Sequence, residues 1–317
     1  MTNKWIILFG LLSIQQAFAN DSAGYVATGG VQYVKNPNIA MQTEDLLISQ
    51  KKVQVDYQFK NLTDHPITEN ILFPLPLVES WHDSDYADTA DLVKSFKVWS
   101  NGKQISPQIH VRAFLPQLKS VNDIRENTPM IDVTAELKAC GWSDAEMMSP
   151  WTEKYDASEL SRKMLRCQQP KLQKLLKLNE DVWWQSQIIY SWQQTFLPNQ
   201  VTRVRHQYTP LLGGAVYLDP EEAKRFCVDD NLKKALRKMG NPTPNYLEMG
   251  YILQTGANWA KPIERFNLTI EKQPNQFVSL CWKGQLKKVS ATQFKATEQN
   301  FVPKQDIQLI FIDKPSP

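Results

Sequence analysis

Hydrophobic and polar residues alternate along much of this chain. In KVQVDYQFKN, Val53, Val55, Tyr57 and Phe59 fall on one side and Gln54, Asp56 and Gln58 on the other. That period of two marks a strand with one buried and one solvated face. ITENILFPLP follows across a polar turn at residues 61–66, and the short separation predicts that the two strands are antiparallel neighbours. Pro74 and Pro76 lack the N–H that a ladder needs, so the second strand ends there or lies at an edge. KSFKVWSNGKQISPQIHVRAF reads as a further hairpin, turning at Asn101-Gly102, a pair that tolerates positive φ. WWQSQIIYSWQQTF and VTRVRHQYTP carry the same signal, as do YLEMGYILQTG, RFNLTIEKQ, QFVSLCWKG, KKVSATQFKA and DIQLIFID nearer the C-terminus.

Between about Leu118 and Leu178 the spacing becomes helical. Met130, Val133, Leu137 and Cys140 line up on one helix, with Gly141 suited to its C-terminal cap. Asp156 and Glu159 form a capping pair ahead of Leu160, Met164 and Cys167. Leu172, Leu175 and Leu176 continue after Pro170, a residue that can start a helix. Further on, Asp219-Pro220-Glu221-Glu222 is a compact helix start, and a helix from Asp230 ends at Gly240. The pattern predicts a mainly β protein: a β-sandwich-like core, a helical insertion and a C-terminal β-rich region containing short helices. The corresponding division is residues 20–117 and 181–215 for the two parts of the sandwich, 118–180 for the insertion and 216–317 for the last region, after a signal peptide at 1–19.

That signal peptide changes the picture of where the protein works. Lys4 precedes the apolar run WIILFGLLSI, which is too short to span a bilayer as a helix, and AFA supplies the small residues of a cleavage site after Ala19. No later stretch is long and apolar enough to span a membrane, so the expected mature chain has no transmembrane segment. Its four cysteines then suggest two disulfides. Three connectivities are open; Cys140–Cys167 and Cys227–Cys281 are the pairs that each lie within one apparent subdomain. The formal net charge of +3 reflects near balance of acids and bases, which argues against a nucleic-acid partner. NLKKALRKMG, the one strongly basic run, reads as a solvated helix face.

Candidate chemistry is sparse. The sequence has no G-x-S-x-G elbow, no H-E-x-x-H helix and no phosphate-binding glycine loop. His206, one of four histidines, alternates with Thr202, Val204 and Tyr208, and Arg203 and Arg205 point the other way. Alternation therefore makes it a buried, neutral, structural histidine rather than a catalytic one. WHDSDYADTAD concentrates His82, Asp83, Asp85, Asp88 and Asp91 in one loop. Asp83, Asp85 and Asp88 are the candidate ligand-binding residues: oxygen ligands of this kind hold calcium, although the loop lacks the glycine and final glutamate of an EF-hand and a solvated acidic loop is the competing reading. No metal site is assigned to them and no cofactor is expected. Trp183, Trp184, Trp192 and Trp259 serve either core packing or stacking on sugar rings.

Several stretches together carry a resemblance: DSAGYVATGGVQYVKNPNIAMQTEDLLIS, VQVDYQFKNLTDHPITENILFPLP, WQQTFLPNQVTRVRHQYTPLLGG, YILQTGANWAKPIERFNLTIEK and VSLCWKGQLKKVS. They resemble the exported bacterial domain-of-unknown-function family 4424, most weakly across the helical insertion. The resemblance implies a Gram-negative envelope setting, in the periplasm, and lends no catalytic residues. The cysteines of RFCVDD and SLCWKG match family positions, which favours their pairing. A weaker likeness of VQVDYQFKN and ILFPLP to vault and inter-alpha-trypsin type domains implies a β-sandwich and no function. The expectation is a non-enzymatic binding, scaffold or assembly protein whose partner is an envelope protein or polymer. The alternative is an envelope hydrolase acting on glycan or peptide, with acids brought together from distant positions.

Overall fold

The computed structural model describes residues 22–27, 30–75, 77–79, 89–120, 128–149, 155–179 and 183–314. Its architecture is mainly β, with several sheets and short helices. The first sheet runs β10 (Met130–Asp132), β9 (Gln108–Pro116), β11 (Gln185–Phe196), β5 (Ile67–Pro74), β1 (Ser22–Ala27), β2 (Gly30–Tyr33), with β6 (Val78–Glu79) also on β11. The second, of eight strands, runs β17 (Lys287–Lys288), β18 (Gln293–Phe301), β15 (Ile263–Glu271), β3 (Ile39–Ile48), β4 (Val53–Asn61), β12 (Val201–Tyr208), β7 (Lys97–Ser100), β8 (Lys103–Ile105). A third joins β13 (Gly213–Ala215), β14 (Tyr246–Tyr251), β19 (Ile307–Asp313) and β16 (Gln276–Leu280).

Alternation explains the layers. Val53, Val55, Tyr57 and Phe59 of β4 are buried while the residues between them are not. These side chains meet Phe73 of β5 and Ile188, Tyr190, Trp192 and Phe196 of β11 in one hydrophobic cluster. The third sheet extends that cluster through Met249, Tyr251, Leu309 and Phe311, and buries Tyr246, Ile310 and Ile312 on its other face, with Phe226 and Leu236. Between the large sheets α1 (Thr89–Ser95) contributes Leu92.

Among the described residues the insertion forms four short helices: α2 (Thr134–Ala139), α3 (Asp144–Met147), α4 (Ala157–Leu165) and α5 (Pro170–Leu176). Their Leu137, Met147, Leu160, Met164 and Leu172 pack on Val111, Ala113 and Leu115 of β9. Polar side chains cap them: Asp156 accepts from the Glu159 N–H at 2.9 Å, and Ser143 with Glu146 forms a reciprocal capping box. In the last region Asp219 caps α6 (Pro220–Arg225) and Asp229 caps α7 (Asp230–Lys238). Disulfides join Cys140 to Cys167 and Cys227 to Cys281, with Cα atoms 5.6 and 5.1 Å apart.

Three local expectations are corrected. β4 and β5 are not paired; they lie in facing sheets. The connection is an arch held by the buried side chain of Asn61, whose Nδ2 donates to the carbonyls of His65 and Phe196 at 2.8 and 2.9 Å, and whose Oδ1 accepts from the Thr63 N–H. The Asn101-Gly102 hairpin is real, with φ of 47° and 81°, but only β7 and β8 belong to it; β9 crosses to the first sheet. Met130 lies in β10, opposite Pro116 of β9, rather than on the helix that begins at Thr134. Its three-residue spacing from Val133 mimics a helix face where the chain is in fact extended.

Candidate functional site

The eight-stranded sheet buries one face and leaves the other open. Ladder partners point to the same side of a sheet, so the registers define rows across that open face. One row takes a residue from each of six adjacent strands: Thr297, Asn267, Asp45, Asp56, Arg205 and Trp99. The inward faces of β3, β4 and β12 supply the core, which fixes the register, because a slip of one residue would turn every apolar side chain outward.

Hydrogen bonds run along the row. The Thr297 hydroxyl donates to Asn267 Oδ1 at 2.9 Å, and Asn267 Nδ2 donates to Asp45 Oδ1 at 2.5 Å. From the other side Arg205 Nε donates to Asp56 Oδ1 at 2.5 Å, and Gln54 Nε2 donates to Asp56 Oδ2 at 2.8 Å. Asp45 and Asp56 meet directly opposite each other at the centre. Like charges in that position repel, and each carboxylate takes its donor from the outer side of the row. Two hollows open along this face, of about 500 Å³ over Asp45, Asp56 and Asn267 and about 320 Å³ over Asp56, Arg205 and the half-buried Trp99. The surface combines carboxylate acceptors, amide and guanidinium donors and one aromatic face. These are the groups that hold vicinal hydroxyls and stack on a sugar ring.

Asp83, Asp85 and Asp88 lie outside the described residues, as does His82. Among the described residues no group of three or more His, Cys, Asp or Glu side chains is placed to hold a metal ion. His206 is fully buried, with ring centroids of Phe73, Tyr57, Phe96 and Trp192 at 4.6, 5.3, 5.9 and 5.9 Å. Trp184, Trp192 and Trp259 are buried too, so these rings pack rather than stack on a ligand. Beside them is an acid the sequence reading missed: Glu44, fully buried on the inner face opposite Tyr57.

Two further polar groupings bear on catalysis. His110 Nε2 lies 2.7 Å from the Ser191 hydroxyl. Ser191 is 2% exposed in mid-strand, so its hydroxyl cannot reach a substrate. Burial holds the His110 imidazole below its ordinary value, against the pull of Asp144 and with help from Arg112 and Lys138. Where the third sheet approaches Tyr208 of β12 and Leu92 of α1, a cavity of about 150 Å³ is lined by Arg225 and Glu248. Arg225 Nη1 lies 3.3 Å from Glu222 Oε2 and 3.8 Å from Glu248 Oε2, and the Tyr246 hydroxyl donates to Glu222 at 3.1 Å. Burial raises Glu248 above the usual carboxylate range although Arg225 opposes it; Glu222 adds to the rise. The guanidinium thus lies within ion-pairing distance of both carboxylates.

Asp45, Asp56 and Arg205 carry no sequence motif, and the Asn267-Leu268-Thr269 sequon marks a glycosylation acceptor rather than a ligand-binding position. The only signal they gave was polarity at the outward positions of alternating strands.

Comparisons place the chain among known proteins. A family model described as domain of unknown function (DUF4424) matches residues 19–310. No curated protein matches. A crystal structure from Legionella pneumophila, described as a candidate nutrient binding protein, is similar at a TM-score of 0.46 and 16% identity, over 93% of this chain and 70% of that one.

Proposed function

The chain belongs to the domain-of-unknown-function family DUF4424, and on that premise we propose that it is an exported periplasmic binding protein. It holds a hydroxyl-rich envelope polymer, a glycan, across the open face of its eight-stranded sheet. In this reading residues 1–19 are removed on export, and the two disulfides suit the oxidising compartment that follows. No helix among the described residues is long and apolar enough to cross a membrane.

The observation that carries the proposal is the Asp45–Asp56 pair. Two carboxylates facing each other, each with donors on its outer side, are relieved by a ligand that donates between them. Neighbouring sugar hydroxyls do so and accept from Arg205 and Asn267 in turn, while Trp99 offers a ring face at one end of the row. The inner face supplies rigidity, since six strands with a shared core hold these side chains at fixed spacing.

Co-sedimentation of the mature protein with purified peptidoglycan sacculi, and titration with soluble envelope polysaccharide, test this reading. Binding to one of these glycans is expected, lost in Asp45→Asn/Asp56→Asn and weakened in Trp99→Ala. No binding to either, or binding indifferent to these variants, overturns it. One observation favours the hydrolase as a second reading: paired carboxylates are the working groups of glycosidases. New reducing ends released by the wild type and abolished in Asp45→Asn would establish it.

A further inference from the structure

A second cleft, away from the open face, has a different chemistry. It lies between α7 and strands β16, β17 and β18, with a volume of about 550 Å³, within the roughly 300–1,000 Å³ typical of small-molecule sites. Leu232, Phe277, Leu286 and Phe294 line it, all only partly buried. Folding leaves these four apolar side chains in partial contact with water around one hollow. Three lysines, Lys272, Lys288 and Lys314, line the same cleft.

The lysines are not neutralised from within. Lys272 is 9% exposed, and its ammonium donates to the Gln273 carbonyl at 3.0 Å. That of Lys314 donates to the Pro274 carbonyl at 3.4 Å and lies 5.0 Å from the Phe277 ring centroid. Among the described residues none of the three enters an ion pair. The nearby acids are otherwise engaged: Asp229 caps α7 through the Leu232 N–H, and Asp313 accepts from Gln276. Burial lowers the Lys272 ammonium below its ordinary value, and the charges of Lys314 and Lys288 lower it further. A buried cation beside two others is costly until an anion joins it. The most basic helix among the described residues, α7, borders the same hollow and adds to its positive field.

We propose that this cleft binds an anionic amphiphile, with its phosphate or carboxylate head at Lys272, Lys288 and Lys314 and its alkyl body along Leu232, Phe277, Leu286 and Phe294. The apolar wall and the cationic end each account for half of such a ligand. A bare anion would leave the wall wet, and a neutral amphiphile would leave the lysines unpaired. The site is independent of the glycan face.

Isothermal titration of the mature protein with dodecyl phosphate and with laurate, below their micellar concentrations, tests the proposal. One equivalent of at least one is expected to bind, and the preferred head distinguishes phosphate from carboxylate. Dodecyl maltoside, with the same chain and no charge, and inorganic phosphate, with the charge and no chain, are each expected to bind roughly tenfold or more weakly. Lys272→Gln/Lys288→Gln should weaken binding of the preferred ligand by at least about tenfold without lowering the melting temperature, and Arg205→Ala should leave it unchanged. No binding of either anionic amphiphile, equal binding of the maltoside, or indifference to the lysine substitutions would overturn the proposal. So would tighter binding by an acidic peptide, which would make the cleft a peptide groove.

Discussion

Arg205 and His206 follow one another on β12, one on the open face of the eight-stranded sheet and one in its core. Arg205 keeps half its side chain in water and pairs with Asp56, itself a third exposed. His206 has no exposed surface and is ringed by aromatic side chains. One strand thus spends one ionisable residue on packing and the next on recognition, and the difference lies in the pleat. On the inner face a polar group must be accommodated as the core forms, and removing it disturbs the fold. On the outer face polar groups cost little to rearrange, so they are free to meet a ligand.

The comparison breaks most visibly if core truncation is tolerated. Phe73→Ala, which empties space beside His206, should cost about 3–5 kcal/mol in urea unfolding; a loss below that of a surface change would show that the sheets are not packed as described. Next in size, replacing Cys227 and Cys281 with serine frees a 54-residue separation, and the chain-entropy argument gives about 4 kcal/mol, before any residual structure in the unfolded chain is counted. Cys140–Cys167, with a separation of 27, should contribute about 3.5 kcal/mol by the same measure. His206→Ala should lower stability by about 1–3 kcal/mol and leave glycan binding intact once the protein is folded.

Glu248 sharpens the contrast, because it sits between the two environments. Its folded-state value is raised above the ordinary 4.5, chiefly by burial, so the folded protein holds the proton more tightly than the unfolded chain. Stability therefore falls as pH rises from the ordinary value through the raised one. Glu248→Gln should flatten that part of the stability profile, measured as urea midpoints across acidic to neutral pH. The smallest stability effect belongs to Arg205→Ala, about 0–1 kcal/mol, yet this variant should lose glycan affinity. A large melting shift with unchanged binding would erase the distinction between the faces.

Much of this was legible in the sequence where the cause is local. Thr202, Val204, His206 and Tyr208 alternate inward as the pattern says, Asn101-Gly102 turns, Asp156 and Asp219 cap helices, and a helix begins at Asp230. What escaped was set by contacts between distant residues. Nothing near Asn61 says that its amide will reach Phe196, 135 residues on, and so send β5 to the opposite sheet. Met130 joined a helical pattern because a short strand followed by a helix can imitate one. The open-face row is assembled from strands spread over most of the chain, and the lysine cleft from Lys272, Lys288 and Lys314; neither has a spacing that a linear reading could catch.

The parallel pairing of β3 with β15 has a consequence for how the molecule is made. Asp45 and Asn267, hydrogen-bonded across that pair, are 222 residues apart. A chain emerging N-terminus first presents β3 long before its partner exists, and β4 can cover only one of its edges in the meantime. The other edge stays open to stray pairing until β15 and β18 arrive. Closing so long a loop is entropically slow, so assembly ends, rather than begins, with the seam through the middle of the eight-stranded sheet. Asp45 meets Asn267 only at that seam, and a nascent or truncated chain that stops before β15 has four of the row's six residues and an unprotected strand.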